Sequence, residues 1–251
     1  MMAAISNDRQ KELEGRVAIV TGAGQGIGRA TALALAGAGC AVALAARTAA
    51  DLDRVAEEIR ATDGKALAIP TDVANEGEVE TLVRRTLAEL GPIDILVNNA
   101  GTNTRKPIWE VTTEDWRRIL DVNTTGTFFC TRAVVPTMIE RRSGKIINVA
   151  SMAGKRGSPT RSAYSAAKFG VAGFGEAIQR ELKEFKITVS TVFPGPIATE
   201  MRRRNNPGED PSGLVAPDEV AAAILFLATR SSNTVIPEVA IMPMSFIAGA
   251  E

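Results

Sequence analysis

The chain has 251 residues, 45% of them hydrophobic, with 29 Lys plus Arg balanced by 29 Asp plus Glu, enough for one α/β domain with a full core. Zero formal net charge weighs against a general nucleic-acid binder and against a disordered acidic tail. The chain has no histidine, and its two cysteines, Cys40 and Cys130, stand far apart, which excludes Ser-His-Asp triads and most zinc sites and fits a reducing compartment.

Residues 1–13 are polar and read as a loose arm without a secretory h-region. No apolar run reaches membrane-spanning length, so a cytoplasmic protein is expected. Residues 16–20 (RVAIV) form a first buried strand. A helix follows over 26–38, with Gly39 just past its end. A second strand spans 41–45. The helix over 49–61 places Leu52, Val55, Ala56 and Ile59 on one face. A strand at 66–70, a helix at 75–90 closed by Gly91-Pro92, and a strand at 93–97 come next. Residues 112–142 read as a long helix that should break or kink near Pro136. Then come a strand at 145–150, a helix at 162–184, a strand at 187–193, a helix at 217–229 and a last strand at 235–242. This alternation predicts a single-domain Rossmann-like α/β doubly wound fold, a seven-stranded parallel sheet flanked by helices on both faces, over 1–251. The Gly/Pro-rich stretch 194–217 is expected to be a lid over a site.

The turn after strand one holds Gly22, Gly24, Gln25, Gly26, Ile27 and Gly28. A strand, a glycine-rich turn and a helix start together make a phosphate cradle: glycines admit close backbone approach and the helix end is partly positive. Strand two ends at Arg47, with no acid before Asp51. A carboxylate there would serve the ribose hydroxyls of NAD; a guanidinium suits a 2′-phosphate. NADP(H) is therefore expected ahead of NAD(H), which stays open.

Tyr164, the only tyrosine, stands four residues before Lys168, so both lie on one helix face. A phenol titrates near pH ~10, and an adjacent ammonium should lower that value. Ser151, at the carboxyl end of strand five, precedes Tyr164 by thirteen residues, and the loop between is long enough to fold back so that the hydroxyl could hold a carbonyl oxygen. Asn123 lies in the middle of the long helical region, where Asn is a poor helix former that can perturb the local backbone and whose side chain needs a partner.

TGAGQGIG, NNAG, Asn123, Ser151 and YSAAK, in this order and spacing, resemble the short-chain dehydrogenase/reductase family in its common form, over about residues 14–230. The resemblance implies a catalytic tetrad of Asn123, Ser151, Tyr164 and Lys168. Tyr164 would be the general acid/base, Ser151 would bond the substrate carbonyl, Lys168 would lower the phenol pKa and hold the nicotinamide ribose, and Asn123 would hold a water. It also implies that Asp72 and Val73 flank the adenine and that Asn98, Ala100 and Gly101 wall the ribose and phosphates. Pro194, Gly195, Ile197 and Thr199 would reach the nicotinamide. The expected function is NADP-dependent interconversion of a carbonyl and an alcohol. The alternatives are 3-oxoacyl-[acyl-carrier-protein] reduction and a catalytically silent dinucleotide sensor or scaffold. Association into a homodimer or homotetramer is likewise implied.

Two departures stand out. Residues 240–246 (AIMPMSF) lack the family's Val-Asp-Gly-Gly ending, and Pro136 and Phe185 stand where carrier-protein reductases tend to be basic. Arg105, Lys106, Lys155, Arg156, Arg161 and Arg202 to Arg204 should gather at one sheet edge. Solvated loop charge is the favoured reading; attraction of an anionic substrate is the other. Trp109 and Trp116 are expected in the core or an interface. Met138, Met152 and Met201 are candidates to line a pocket.

Overall fold

The computed structural model describes residues 12–247, so most of the N-terminal arm lies outside the described residues. Seven parallel strands form one sheet in the order β3-β2-β1-β4-β5-β6-β7. They are β1 (Val17–Thr21), β2 (Ala41–Ala46), β3 (Ala66–Pro70), β4 (Ile95–Asn98), β5 (Gly144–Val149), β6 (Ile187–Pro194) and β7 (Glu238–Ile241). The central strands are apolar because both faces are covered: in β1, Ala18 and Val20 enter one core and Ile19 the other. Helices α1 (Gly26–Gly37), α2 (Ala49–Arg60) and α8 (Pro217–Thr229) pack on the first face. Helices α3 (Glu76–Glu89), α5 (Gly126–Arg141) and α6 (Ser162–Leu182) pack on the second. The chain winds outward from β1 to β3, then returns to β4 beside β1. That reversal leaves a crevice at the carboxyl ends of β1 and β4.

The long predicted helix breaks, but not at Pro136. It divides into α4 (Thr113–Leu120), a wider π-turn over Asp121–Thr125, and α5, which runs on through Pro136. The reason is Asn123, whose side-chain amide donates to the Ile119 carbonyl at 2.8 Å and so competes with the backbone ladder. β7 is shorter than expected. Pro237 and Pro243 flank it and cannot donate to a ladder. It still pairs with β6 without the family's usual ending, and the Gly195 amide donates to the Ile241 carbonyl at 2.8 Å.

The 194–217 segment is partly ordered by its own contacts. It contains α7 (Glu200–Asn205), capped by the Thr199 hydroxyl, and Ile197 bridges to Val215. A short helix, α9 (Met244–Ile247), follows β7. Neither tryptophan is in the core: Trp109 is 82% exposed and Trp116 39%. Met138 is fully buried beneath Gly144, Met152 packs against the core, and Met201 alone of the three lines the main cleft. Cys40 and Cys130 are buried, and burial pushes both thiols up to about 12. No helix among the described residues is long and apolar enough to cross a membrane.

Candidate active site

The turn from β1 into α1 is held open by glycine. Gly22 (φ 66°) and Gly26 (φ 55°) occupy left-handed conformations that side chains resist. A Cβ on Gly28 would overlap the Gly22 carbonyl oxygen. Gln25 precedes α1 without a side-chain cap, which leaves the first-turn amides to a ligand.

β4 braces this turn. The Thr21 hydroxyl accepts from the Asn99 and Ala100 amides at 3.0 Å each, and the Asn99 side chain donates to the Thr21 carbonyl at 2.9 Å. Alternation along the strand separates two adjacent asparagines. Asn99 faces the cleft. Asn98 points into the protein, bridging Thr131 at 3.0 Å and Asn148 at 2.9 Å. The reading of the NNAG stretch thus missed Asn99, and strand period was the signal that separates the two.

Arg47 is exposed at the end of β2 and makes no side-chain hydrogen bond or ion pair among the described residues. Asp51 approaches Gly24 but pairs with Arg54 at 2.9 Å. Asp72 and Val73 follow β3; the Asp72 carboxylate accepts from the Ala74 amide at 3.0 Å, and Val73 packs on Gly126.

The reactive groups meet between β5 and α6. Ser151 leaves β5 into a turn, its hydroxyl accepting from the Ala153 amide at 3.1 Å. Tyr164 and Lys168 lie one turn apart on α6. The turn at 152–154 packs so tightly on α6 that a Cβ on Gly154 would sit 2.6 Å from the Lys168 carbonyl. The Lys168 ammonium donates to the Val149 carbonyl at 2.8 Å and lies 5.8 Å from the Tyr164 ring centre. The Thr124 hydroxyl donates to the Ala167 carbonyl at 3.0 Å, tying the π-turn to α6. Asn123 also donates to the Thr102 carbonyl at 2.8 Å, while its buried Oδ1 has no partner among the described residues. Both Asn123 Oδ1 and Lys168 Nζ approach Gly101, at 2.8 and 3.7 Å from where its Cβ would be.

Desolvation dominates the titration of these groups. Burial raises the Tyr164 phenol above its ordinary value; the Ser151 hydroxyl and the Arg161 charge pull it partly back. Burial pushes Lys168 down to about 8. The Lys168 ammonium donates to the Val149 carbonyl while facing the Tyr164 ring, and Arg161 is a second cation whose charge lowers the phenol.

One cleft collects most of the expected site. Gly22, Gln25, Gly26 and Ile27 line it from the glycine turn, Gly101 from the segment after β4, and Ser151, Tyr164 and Lys168 from the reactive end. Pro194, Gly195, Ile197 and Thr199 line its far wall. Gly24, Gly28, Arg47, Asp72, Val73, Asn98, Ala100 and Asn123 lie behind or beyond that lining. Asn103, Arg161 and Asn206 also border it. Asn103 and Asn206 carried no motif that sequence could flag.

A phosphate-cradling turn at a sheet switch point, beside a serine, a tyrosine and a lysine, defines a dinucleotide-dependent oxidoreductase. The short chain dehydrogenase family model matches residues 16–210, and the chain belongs to the short-chain dehydrogenase/reductase family. It is an oxidoreductase acting on CH–OH donors with NAD(P) as acceptor. A 3-oxoacyl-[acyl-carrier-protein] reductase from Synechocystis sp. is 44% identical over 225 residues, covering 86% of this chain and 90% of the relative. A metagenomic short-chain oxidoreductase solved in complex with NADP is 33% identical, with a TM-score of 0.83 over 93% of this chain and 99% of that one. The 3-oxoacyl-[acyl-carrier protein] reductase from Brucella melitensis is also 33% identical, with a TM-score of 0.84 over 96% of each chain.

Replacing Gly28 by Ala should abolish dinucleotide binding, because the clash is with backbone at the cradle itself. Fluorescence titration with NADPH checks this; binding within about twofold of the parent would show that the turn can relax.

Proposed function

We propose that the chain is an NADP-dependent oxidoreductase interconverting a ketone or aldehyde with an alcohol, with Tyr164 as general acid/base. The observation that carries this reading is the partly buried Tyr164 phenol beside the Ser151 hydroxyl, in the same cleft as the glycine turn.

The residues fit a dinucleotide. The glycine turn is a cradle that a Cβ at Gly28 would fill, and the uncapped start of α1 suits a pyrophosphate. Gly22 and the residues from Gly24 to Gly28 would hold the phosphates, and Asp72 and Val73 the adenine. Asn98 would act from behind the wall that Ala100 and Gly101 complete. Arg47 would take a 2′-phosphate; it is exposed and uncommitted, and the metagenomic relative carries NADP. NAD(H) is the weaker alternative, because Asp51, the nearest acid in sequence, is engaged by Arg54. Tyr164, Lys168, Pro194, Gly195, Ile197 and Thr199 would position the nicotinamide end. When bound, the dinucleotide supplies or accepts the hydride.

The chain's own part is proton traffic. Because burial raises its pKa, Tyr164 keeps its proton across the neutral range and can donate it to a carbonyl oxygen held by Ser151. Ser151 and Arg161 limit that rise, which eases release of the proton to the carbonyl oxygen and, in the oxidative direction, formation of the phenolate that accepts one. Lys168 is charged below about pH 8; above it, a growing share is the neutral amine. The unpartnered Asn123 Oδ1 would accept from a water near Lys168, completing a relay.

The reading takes the 194–217 segment as a lid over a small-molecule substrate. It places the protein in the cytoplasm, which two buried free thiols support. It also includes pairing of chains through α5 and α6, where Phe128 and Phe169 are exposed. The Synechocystis and Brucella relatives favour a second reading, reduction of a 3-oxoacyl thioester on a carrier protein. Turnover of an acetoacetyl thioester against simple ketones, followed by NADPH absorbance, separates the two.

Tyr164→Phe should lower NADPH-coupled turnover by about 100- to 10,000-fold; parental turnover would remove Tyr164 from the proton step. Arg47→Ala should weaken NADPH about tenfold or more while leaving NADH nearly unchanged, read by equilibrium fluorescence titration. Equal effects on the two would discard its 2′-phosphate role.

A further inference from the structure

The sequence places many cations at the carboxyl edge of the sheet, and the structure engages nearly all of them. Arg203 and Arg204 hold Glu200 at 2.6 and 3.1 Å. Arg202 pairs with Glu209, its Nε at 2.6 Å. Arg105 bonds Asn206 and Thr160. Lys106 pairs with Asp115 at 2.6 Å, Lys155 pairs with Glu238, and Arg156 covers the Phe246 ring.

Among the cations that line the cleft, Arg161 is the exception. It lines the cleft, is half-buried, and makes no side-chain hydrogen bond or ion pair among the described residues. Its neighbours intensify the demand for an anion. Arg105 and Arg202 act on it with like charge, and Glu209, already bonded to Arg202, offsets them only in part. Burial and these two guanidiniums together push its pKa below the ordinary arginine value. A half-buried guanidinium with no side-chain partner in the protein keeps its donors available to an anionic ligand in the cleft. Its planar fork matches a carboxylate by two parallel hydrogen bonds.

Position narrows the ligand. Arg161 stands at the N-cap of α6, three residues before Tyr164, and its charge reaches the phenol. We propose that Arg161 is a specificity-determining residue that receives a carboxylate carried by the substrate, so that the carbonyl compounds reduced here are short oxo acids and the alcohols hydroxy acids. This rests on the carbonyl–alcohol reading of the cleft and names its substrate class.

The test compares acetoacetate with its neutral ethyl ester, each with NADPH, on the parent protein, Arg161→Gln and Arg161→Lys. The parent should favour the acid in kcat/KM. Arg161→Gln should lower the acid-to-ester ratio about tenfold or more, with Arg161→Lys in between. The ratio cancels any shared effect of Arg161 on Tyr164. An unchanged ratio in Arg161→Gln, or a parent that favours the ester, overturns the proposal. If neither compound is reduced, the carbonyl–alcohol reading loses its support, and calorimetric titration decides the anion site alone. Butanoate should then bind the parent better than butanamide does, and Arg161→Gln should erase the difference. Equal binding of the two to the parent overturns the proposal. Thermal unfolding of each variant confirms that it is folded.

Discussion

A phenol that is costly to ionise sits beside a hydroxyl on the wall of the dinucleotide cleft, and the chemistry of this protein depends on that pairing. Tyr164 is pushed upward by burial, and Ser151 and Arg161 act against the push. The result is a group that carries its proton at neutral pH, in contact with a second hydroxyl able to steady a carbonyl oxygen. Lys168 feels the same desolvation with the opposite sign and falls to about 8. The same desolvation therefore leaves the phenol protonated and brings the lysine closer to its own midpoint.

The scaffold maintains that environment through a few close approaches. The Val149 carbonyl holds the Lys168 ammonium, and the turn after Ser151 presses against α6 at Gly154. The π-turn brings Asn123 to Gly101 and fastens to α6 through Thr124. On the other side, Thr21 and Asn99 lock the glycine turn to β4. The phosphate cradle and the proton-handling groups are thus fixed to neighbouring strand ends of one rigid sheet. The 194–217 segment closes the far wall of the cleft, and its charges are mostly neutralised within it.

Legibility from sequence followed the range of the interactions. The seven strands and most helices were readable because apolar period and glycine punctuation are local signals. The glycine turn, Ser151, Tyr164 and Lys168 were readable because their spacing is fixed along the chain. The helix break was misplaced at Pro136, because proline is tolerated within α5 whereas the Asn123 side chain redirects the ladder. Asn98 and Asn99 looked alike until strand alternation assigned one to the interior and the other to the cleft. The partner of Lys168 was not readable, because adjacency on a helix does not say which acceptor an ammonium takes. Least readable was which arginine lining the cleft stays unpaired; that depends on acids from several loops, such as Glu200, Glu209 and Glu238.

Because Tyr164 is the only tyrosine, its ionisation can be followed directly by phenolate absorbance in the ultraviolet, with circular dichroism on the same samples to mark alkaline unfolding. The account predicts a midpoint above the ordinary value of ~10 in the folded protein, and a further rise in Ser151→Ala, since the hydroxyl that opposes the burial shift is gone. A midpoint at or below the ordinary value, unmoved by the loss of Ser151, would contradict it.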